Sequence, residues 1–389
     1  GPGELQGQLA IDLDQRLTRG PLTRGLLTLK LPDLAAYQSL TGDALGGGLD
    51  ATLDLGVTAN RQQMAVRLDG RSLAYRPQTT GRQTGAQKSR EPQALGAETL
   101  TLRGKFDDLL GRPSSQVTAR ITRLTAPGLT LPQLDLRLAG PADDLSFSGD
   151  GRGTLNDQPL TLDFSGRTAL DDQPRVRLES LNVGLAARDL RLLGPAQLTI
   201  APSQLRLDDL NIALDGGRLR AAFNQEEGRI TLAAKLTDLP LSLVQILMPQ
   251  VKLEGRINAD LDLQGPLTNP TGRVDLQIPD FRSAAMAKGQ SAQWRVQARL
   301  SQKSLTGSAG LSGLSAQPLD LAWTLPLAFD GSLFGVGLAR QRPFQLSANW
   351  QGSAGRLLEV IGSDRVSLDG ALAFKLAADG TLETPNLVG

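Results

Sequence analysis

The sequence contains no cysteine and no histidine. The first absence excludes disulfides and thiolate nucleophiles, and together they exclude Cys/His zinc sites and every acid–base scheme that uses an imidazole. A hydrolase would then need a Ser-Lys pair, a threonine or paired carboxylates, and none of the eight Lys stands in a Ser-x-x-Lys spacing. We therefore expect a protein that is not an enzyme and needs no cofactor. Freedom from cysteine also suits an oxidising compartment.

Aromatic residues are scarce as well, at 4% of a chain that is 40% hydrophobic. The apolar content is therefore mostly Leu, Val, Ile and Ala, whereas the cores of compact domains usually contain more Phe, Tyr and Trp. No apolar run approaches the ~18 residues of a membrane span, and no signal peptide is evident. Residues 1–3 (Gly-Pro-Gly) fit a remnant of tag removal, and the end at Gly389 interrupts a repeat. We expect residues 4–389 to be an internal piece of a longer protein.

Charge is nearly balanced, with a formal net charge of +1. This gives no general attraction to nucleic acid, and no nucleic-acid partner is expected. Eight of the 41 basic residues are Lys and the rest are Arg, but they are scattered, which indicates composition rather than a phosphate site. Trp294, Trp323 and Trp350 each stand alone in alternating runs, which favours packing over base stacking.

Alternating apolar and polar residues dominate the rest of the chain. Residues 257–264 (INADLDLQ) alternate strictly, which predicts a strand with one apolar face and one polar face. Gly265 and Pro266 end this run, and residues 370–389 repeat the layout with the same spacing between glycines. The stretch 49–57 (LDATLDLGV) matches 257–265 without a gap, so the same kind of strand is expected three times.

A second pattern occurs as VRLESLNVGL (176–185) and LRLDDLNIAL (205–214). In each, the apolar phase slips, at residues 179–180 and 208–209. A short strand followed by a tight turn would explain this, but a β-bulge explains it better because a bulge keeps the same face apolar.

Three short segments fit helices instead: 33–40, 241–248 and 356–362. Each precedes a strand that begins with glycine, at Gly47, Gly255 and Gly370. A unit of one short helix followed by strands, used three times, indicates an array of repeats. Residues 77–96 have no periodicity and few apolar groups, which predicts a disordered insert.

Pairs of aspartates occur at 107–108, 143–144, 171–172 and 208–209. Each pair stands at an expected strand end or turn, where Asp bonds nearby backbone N–H groups, so we interpret them as turn residues and not as acid–base pairs. Asp260 and Asp262 alternate with apolar residues and are assigned to a solvated outer face. No metal site is expected.

The apolar faces of so many strands must be covered by something. A second sheet could do so, as in a β-sandwich, and a β-solenoid is a further alternative. A sheet folded lengthwise around a groove would instead leave its apolar face to a long apolar ligand such as an acyl chain, at about 0.8 kcal/mol per buried CH₂. The predicted lining consists of apolar residues from the matched strands: Leu49, Leu53, Leu55, Leu205, Leu207, Ile212, Leu214, Ile257, Ala259, Leu261, Leu263, Leu372, Phe374 and Leu376.

Three segments, 31–55, 236–276 and 350–389, together resemble the TamB family of translocation and assembly module subunits, part of the AsmA-like group of bridge-like lipid transport proteins. The shared layout is a helix, a glycine-led strand and Gly-x-Leu-x-x-Pro, here at Gly265-Leu267-Pro270 and Gly380-Leu382-Pro385. The resemblance implies a long, taco-shaped β-sheet in the periplasm of a Gram-negative cell, reaching from an inner-membrane anchor towards the outer membrane. It also implies phospholipid acyl chains as ligands and the outer-membrane barrel TamA as a partner, through parts that this sequence does not contain.

The sequence thus predicts an all-β fold, namely one continuous, elongated and curled, mostly antiparallel sheet over residues 4–389 with a few short helices. The expected function is lipid conduction between the two membranes. The alternatives are a β-rich scaffold or chaperone that presents strand edges to unfolded outer-membrane proteins, and a compact sandwich enzyme.

Overall fold

A computed structural model of the chain describes residues 3–12, 22–38, 44–76, 95–169, 174–186, 188–201, 203–243, 253–284, 286, 289–332, 335–361 and 370–389. In these ranges the structure is almost entirely β, and its 25 strands form one antiparallel sheet. The prediction of an all-β, antiparallel fold with a few short helices is confirmed. The chain divides into two compact units, residues 1–191 and 192–389.

The first unit is an up-and-down meander in which every strand pairs with its neighbours in sequence. Its strands are β1 (Glu4–Asp12), β2 (Leu22–Leu31), β3 (Ala44–Thr58), β4 (Arg61–Arg76), β5 (Leu95–Asp107), β6 (Ser114–Ala126), β7 (Leu129–Pro141), β8 (Leu145–Leu155), β9 (Gln158–Ala169), β10 (Arg175–Leu185) and β11 (Arg188–Leu192).

The second unit continues the antiparallel pattern with two departures. β15 pairs with β17 while the short β16 pairs with β18, and β21 pairs with both β22 and β23. Its strands are β12 (Ala196–Ala201), β13 (Gln204–Leu214), β14 (Gly217–Glu226), β15 (Arg229–Pro240), β16 (Leu253–Glu254), β17 (Arg256–Pro266), β18 (Thr271–Ser283), β19 (Ala292–Ser301), β20 (Ser304–Ser312), β21 (Leu319–Phe329), β22 (Val336–Leu338), β23 (Pro343–Ser353), β24 (Ala371–Thr381) and β25 (Pro385–Val388).

Both predicted phase slips are β-bulges. In β10 the register shifts between Leu178 and Ser180, and in β13 it shifts between Leu207 and Leu210. Asp209, in the second bulge, has a φ of 55°. Each bulge places an extra residue opposite the partner strand, so the apolar side chains before and after it stay on one face of the sheet.

The three predicted helical segments differ in length. The first is a 3₁₀ turn, Leu34–Tyr37, whose start is capped by the Asp33 carboxylate, which accepts a 2.9 Å hydrogen bond from the Ala35 amide. The second begins as a 3₁₀ turn, Leu241–Leu243, and its predicted continuation to 248 lies outside the described residues. The third is the helix α1, Ala354–Ile361, which begins two residues earlier than predicted. Among the described residues, no helix combines the length and the apolar character that crossing a bilayer would require.

The predicted repeat is visible in the backbone hydrogen bonds. The Leu241 amide donates to the Gly255 carbonyl at 2.8 Å, and the Ala354 amide donates to the Gly370 carbonyl at 3.0 Å. In the second and third helical segments, the start is therefore tied to the glycine that leads the following strand. Gly255 and Gly370 have φ values of +130° and +125°, which L side chains rarely adopt, so the backbone there requires glycine.

The turns that follow the predicted Gly-Pro stops also share one design. After Gly265, the Asn269 amide donates to Pro266 at 2.9 Å, and after Gly140 the Asp144 amide donates to Pro141 at 3.0 Å. The corresponding bond after Gly380 runs from the Thr384 amide to the Thr381 carbonyl at 3.1 Å. The same turn therefore closes β7, β17 and β24, as the sequence match predicts.

One boundary predicted from the sequence is wrong. Of the expected disordered insert, residues 77–94 lie outside the described residues, but Leu95 and Gly96 belong to β5. Leu95 pairs with Tyr75 and Gly96 pairs with Ala74, so cross-strand contact extends the strand further back than its weak alternation suggests.

Candidate functional site

The apolar face of the second unit is built from rows of paired residues that run across the strands. Directly opposed residues of an antiparallel pair point to the same side of the sheet, so the register identifies the face. Leu261 pairs with Ala234 on one side and with Val274 on the other, and Leu263 pairs with Leu232 and Gly272. The row through Leu261 continues over further strands without a charged residue: Val274, Ala298, Gly307, Trp323, Leu346, Ala378 and Leu387.

Eleven of the predicted lining residues lie on this face. The bulge in β13 puts Leu205 and Leu207 on the same side as Ile212 and Leu214, and the register through β14 and β15 connects them to β17. In β24, Leu376 pairs with Ala348, which belongs to the row of Ala259. The eleven residues are Leu205, Leu207, Ile212, Leu214, Ile257, Ala259, Leu261, Leu263, Leu372, Phe374 and Leu376.

The remaining three predicted residues lie on the apolar face of the first unit. Leu49, Leu53 and Leu55 alternate along β3, where Leu53 pairs with Leu27 and with Val66. The row through Leu53 continues across the unit: Gly104, Val117, Leu138, Phe147, Gly166 and Leu178. Each unit therefore carries its own apolar face.

The burial of these side chains distinguishes an open apolar face from the core of a β-sandwich. None of the fourteen predicted residues is fully buried: twelve are half-buried, and Leu372 and Leu376 are 38% and 50% exposed. A sandwich core would bury them under a second sheet. Instead the apolar side chains are shielded mainly by their neighbours, and each face is left accessible from one side.

One margin of the apolar face in the second unit is closed. Leu241 from the 3₁₀ turn is buried in a cluster with Phe281, Leu311 and Trp350, and Leu357 from α1 packs against the same cluster. Leu241 and Leu357, from two of the short helical segments, therefore cover this margin of the apolar face, while residues 244–248 of the predicted second helix lie outside the described residues. Ile257 and Phe374 pack against this cluster, so they mark the boundary between the covered margin and the open part of the face.

The three tryptophans serve packing, as interpreted from their isolated positions. Trp350 is 2% exposed in the buried cluster, and its ring lies 6.2 Å from that of Phe374. Trp294 meets Phe281 edge to face at 6.4 Å. Trp323 is half-buried on the apolar face opposite Gly307 and Leu346.

The opposite face of each unit is charged. In the second unit, Lys235 bonds to Asp260 at 3.1 Å and Arg273 bonds to Asp262 at 2.7 Å. These four side chains are 48% to 74% exposed, which agrees with the outer-face assignment of the two aspartates. Such exposed pairs stabilise the fold by less than about 1 kcal/mol each.

Open recesses lie on the charged faces. One of them, about 960 Å³, is bordered in the second unit by Asp260, Asp275, Arg273 and Arg299. It is open to solvent, and its charged side chains largely balance one another. Such a polar recess does not favour binding of an acyl chain.

The aspartate pairs act in turns and strand ends where the structure describes them. The Asp108 carboxylate accepts a 3.2 Å bond from the Arg112 amide, Asp143 and Asp144 stand in the turn after β7, and Asp208 and Asp209 form the bulge of β13. Residues 171–172 lie outside the described residues. No group of three acidic side chains within the described ranges is placed to hold a metal ion.

The carboxyl of Asp135 has a perturbed acidity. Hydrogen bonds from the side chains of Gln133 and Arg120 hold the pKa of Asp135 below its usual value. The Arg120 bond is 2.7 Å long, and Asp135 is 17% exposed on the charged face of the first unit. Because these bonds favour the ionised carboxylate, they link the stability of the first unit to pH.

Sequence reasoning missed lining residues on the strands between the matched ones. Leu276, Val296 and Leu321 lie in the row of Ala259, and Leu236 lies opposite Ala259. Their strands alternate as clearly as the matched strands do, so alternation alone would have found them.

No family model, no curated protein and no solved structure matches this chain.

Proposed function

We propose that the apolar face binds phospholipid acyl chains and lets them move along the sheet, as part of a periplasmic bridge between the inner and outer membranes. The observation that carries this proposal is the half-burial of aliphatic side chains in uncharged rows that cross many strands. A soluble chain that leaves such a face open needs an apolar partner, because large exposed apolar patches mark interaction sites.

An acyl chain fits this face for energetic reasons. Each CH₂ group removed from water stabilises the complex by about 0.8 kcal/mol, and the partner needs no hydrogen bonds from the wall. Rows made of Leu, Val and Ala present similar surface from one strand to the next. Movement along them therefore meets low barriers, whereas aromatic walls would form separate pockets.

The covered margin gives the acyl chain a boundary. Leu241 and Leu357 close the covered margin, so a tail is expected to lie along the rows of Leu261 and Leu263 and not against Ile257. This supports a single open strip in the second unit, with its floor formed by β15, β17, β18 and β19.

A photo-crosslinking amino acid placed at successive positions of β17 tests the proposal. The full chain is mixed with vesicles of phosphatidylethanolamine and phosphatidylglycerol, irradiated, and analysed by mass spectrometry for lipid adducts. We expect adducts at 261 and 263, few at 257, and none at 258, 260 and 262. Equal labelling of both faces, or no labelling, would rule out an acyl-chain face.

A pair of charge substitutions adds a second test. Leu261→Arg places a cation in the strip, where it must lose water whenever a tail passes. Because the face is open, the aliphatic stem of the arginine can lie on it while the guanidinium reaches solvent. The free energy of unfolding should therefore fall by only about 1–2 kcal/mol. The matched control is Gln264→Arg, which adds the same charge on the exposed opposite face of the same strand. Adducts at 263 should disappear in the first variant and persist in the second.

A second candidate is a scaffold for outer-membrane β-barrel proteins, assembled with a barrel partner such as TamA. The observation in its favour is the exposure of β25, where Leu387 and Val388 are 78% and 60% exposed. An exposed apolar strand can pair with an incoming strand. Crosslinks from 387 to an unfolded barrel protein, with no lipid adducts at 261, would favour the scaffold.

A further inference from the structure

The first unit has a recess of about 610 Å³ on its charged face, lined by an unbalanced set of charges. Among the described residues around it are four cationic side chains, Arg67, Arg103, Lys105 and Arg137, and one carboxylate, that of Asp54. The large recess of the second unit differs, since Asp260, Asp262 and Asp275 offset its two arginines.

The register brings these cations together. Arg67 on β4 lies directly opposite Arg103 on β5, and like charges in that position destabilise a sheet unless something compensates them. Lys105 is two residues along β5 on the same face. Arg137 on β7 is separated from Arg103 by Thr118 on β6, which pairs with both.

Internal compensation is incomplete. Arg67 bonds to Asp69 at 2.8 Å, while Arg137 only approaches Asp150, at 4.0 Å, with 66% of its side chain exposed. Within the described residues, neither Arg103 nor Lys105 forms an ion pair. Both side chains border the recess without an ion-paired carboxylate, and Asp54 is the one carboxylate among its described lining residues.

We infer that this recess binds a soluble anion carrying two or more phosphate groups. Arginine forks match phosphate oxygens in a bidentate way, which makes phosphate a better ligand than a single carboxylate. The cations extend from β4 to β7, three strand spacings or about 14 Å, so one phosphate cannot contact them all and an oligophosphate can. The headgroup of a lipid whose tails lie on the apolar face is not the ligand, because the sheet separates the two faces.

Calorimetric titration of the full chain with sodium tripolyphosphate tests this inference. The key variant is the double substitution Arg103→Gln with Lys105→Gln, which removes two unpaired cations from one strand. The control is Arg295→Gln with Arg299→Gln, which removes the same charge from one strand of the second unit, where acidic side chains adjoin both arginines. Circular dichroism verifies that both double variants are folded.

The expected result is a loss of affinity of about tenfold or more in the Arg103/Lys105 variant and less than about threefold in the control. Binding should also weaken when salt is raised from about 50 mM to about 200 mM, because screening shortens the range of the attraction. An equal loss in both variants would mean unspecific attraction and would overturn the site. Absence of tripolyphosphate binding, or binding of anionic vesicles alone, would overturn it as well.

Discussion

The amide of Leu241 and the carbonyl of Gly255 are joined by a 2.8 Å hydrogen bond that ties the start of a short helical turn to the strand that follows it. Leu241 is buried, and Gly255 has a φ of +130°. A Cβ at residue 255 would lie 2.7 Å from the Asp280 carbonyl oxygen. The covered margin of the apolar face therefore depends on a glycine at this position.

Gly255→Ala should destabilise the second unit by about 2 kcal/mol, because alanine is strained at this φ and clashes with the backbone of Asp280. Gly337→Ala is the matched control, since no atom lies within 4 Å of its added Cβ and its φ is not positive. All three tryptophans lie in this unit, so their fluorescence during urea denaturation reports its stability. Equal midpoints for the two variants would contradict the strain at residue 255.

Trp350→Phe should cost far less than Trp350→Ala. The indole is 2% exposed, and its Nε1 is buried without a hydrogen-bond partner. Truncation to alanine leaves a large cavity and should cost about 3–5 kcal/mol. Phenylalanine keeps much of the ring and removes the unpaired N–H, so its net cost should stay below about 2 kcal/mol. The two midpoints are compared by fluorescence of the remaining Trp294 and Trp323, and a phenylalanine variant as unstable as the alanine variant would refute this account.

Gly149 and Phe164 should show energetic coupling. They are directly paired across β8 and β9, and a Cβ at residue 149 would lie 2.4 Å from Cζ of Phe164. Gly149→Ala should therefore cost about 1–3 kcal/mol through overpacking.

Phe164→Leu replaces the ring that causes the clash with a shorter aliphatic side chain. In the double variant the loss should be smaller than the sum of the two single losses, by about 1 kcal/mol. Circular dichroism follows unfolding of this first unit, with tryptophan fluorescence as the internal reference for the second. Simple additivity would show that the glycine is not there to accommodate the ring.

Asp135 should make stability depend on pH. Its pKa in the folded state is lowered by the bonds from Gln133 and Arg120, so the unfolded chain takes up the proton first as pH falls. The contribution of Asp135 to stability is complete at a pH well above its unfolded pKa of about 3.9. This contribution is lost as the pH falls towards the lower pKa of the folded state. Asp135→Asn should thus be less stable than the parent at pH 7, and this difference should shrink below about pH 4. A difference that is constant with pH would exclude the linkage.

Alternation, glycine positions and aspartate pairs were enough to predict much of the fold. They gave the strands, the bulges at residues 179–180 and 208–209, the shared turn after Gly265 and Gly380, and the common face of Leu205 and Ile212. These features are local, so a short window of sequence contains their physical cause.

Two of the features that were missed depend on register: the cluster of arginines and the start of β5. Arg67, Arg103 and Arg137 are more than thirty residues apart in sequence, and only pairing across β4 to β7 makes them neighbours. Scattered arginines therefore look like mere composition until the sheet is known. The strand assignment of Leu95 also needed a partner, because only its position opposite Tyr75 shows that β5 begins there.

The bulges have a consequence for how this chain tolerates changes in length. Asp209 and Asp238 each contribute to a place where two residues face one across the sheet. Deleting one residue there would remove the bulge and move all side chains on one side of the deletion to the opposite face of the sheet. Leucines would then face water, and charged side chains would lie on the apolar face. In related sequences, a single-residue insertion or deletion in a strand should therefore fall in or beside one of these bulges, and a second change of opposite sign should restore the alternation. Elsewhere the strands can change length only in steps of two residues.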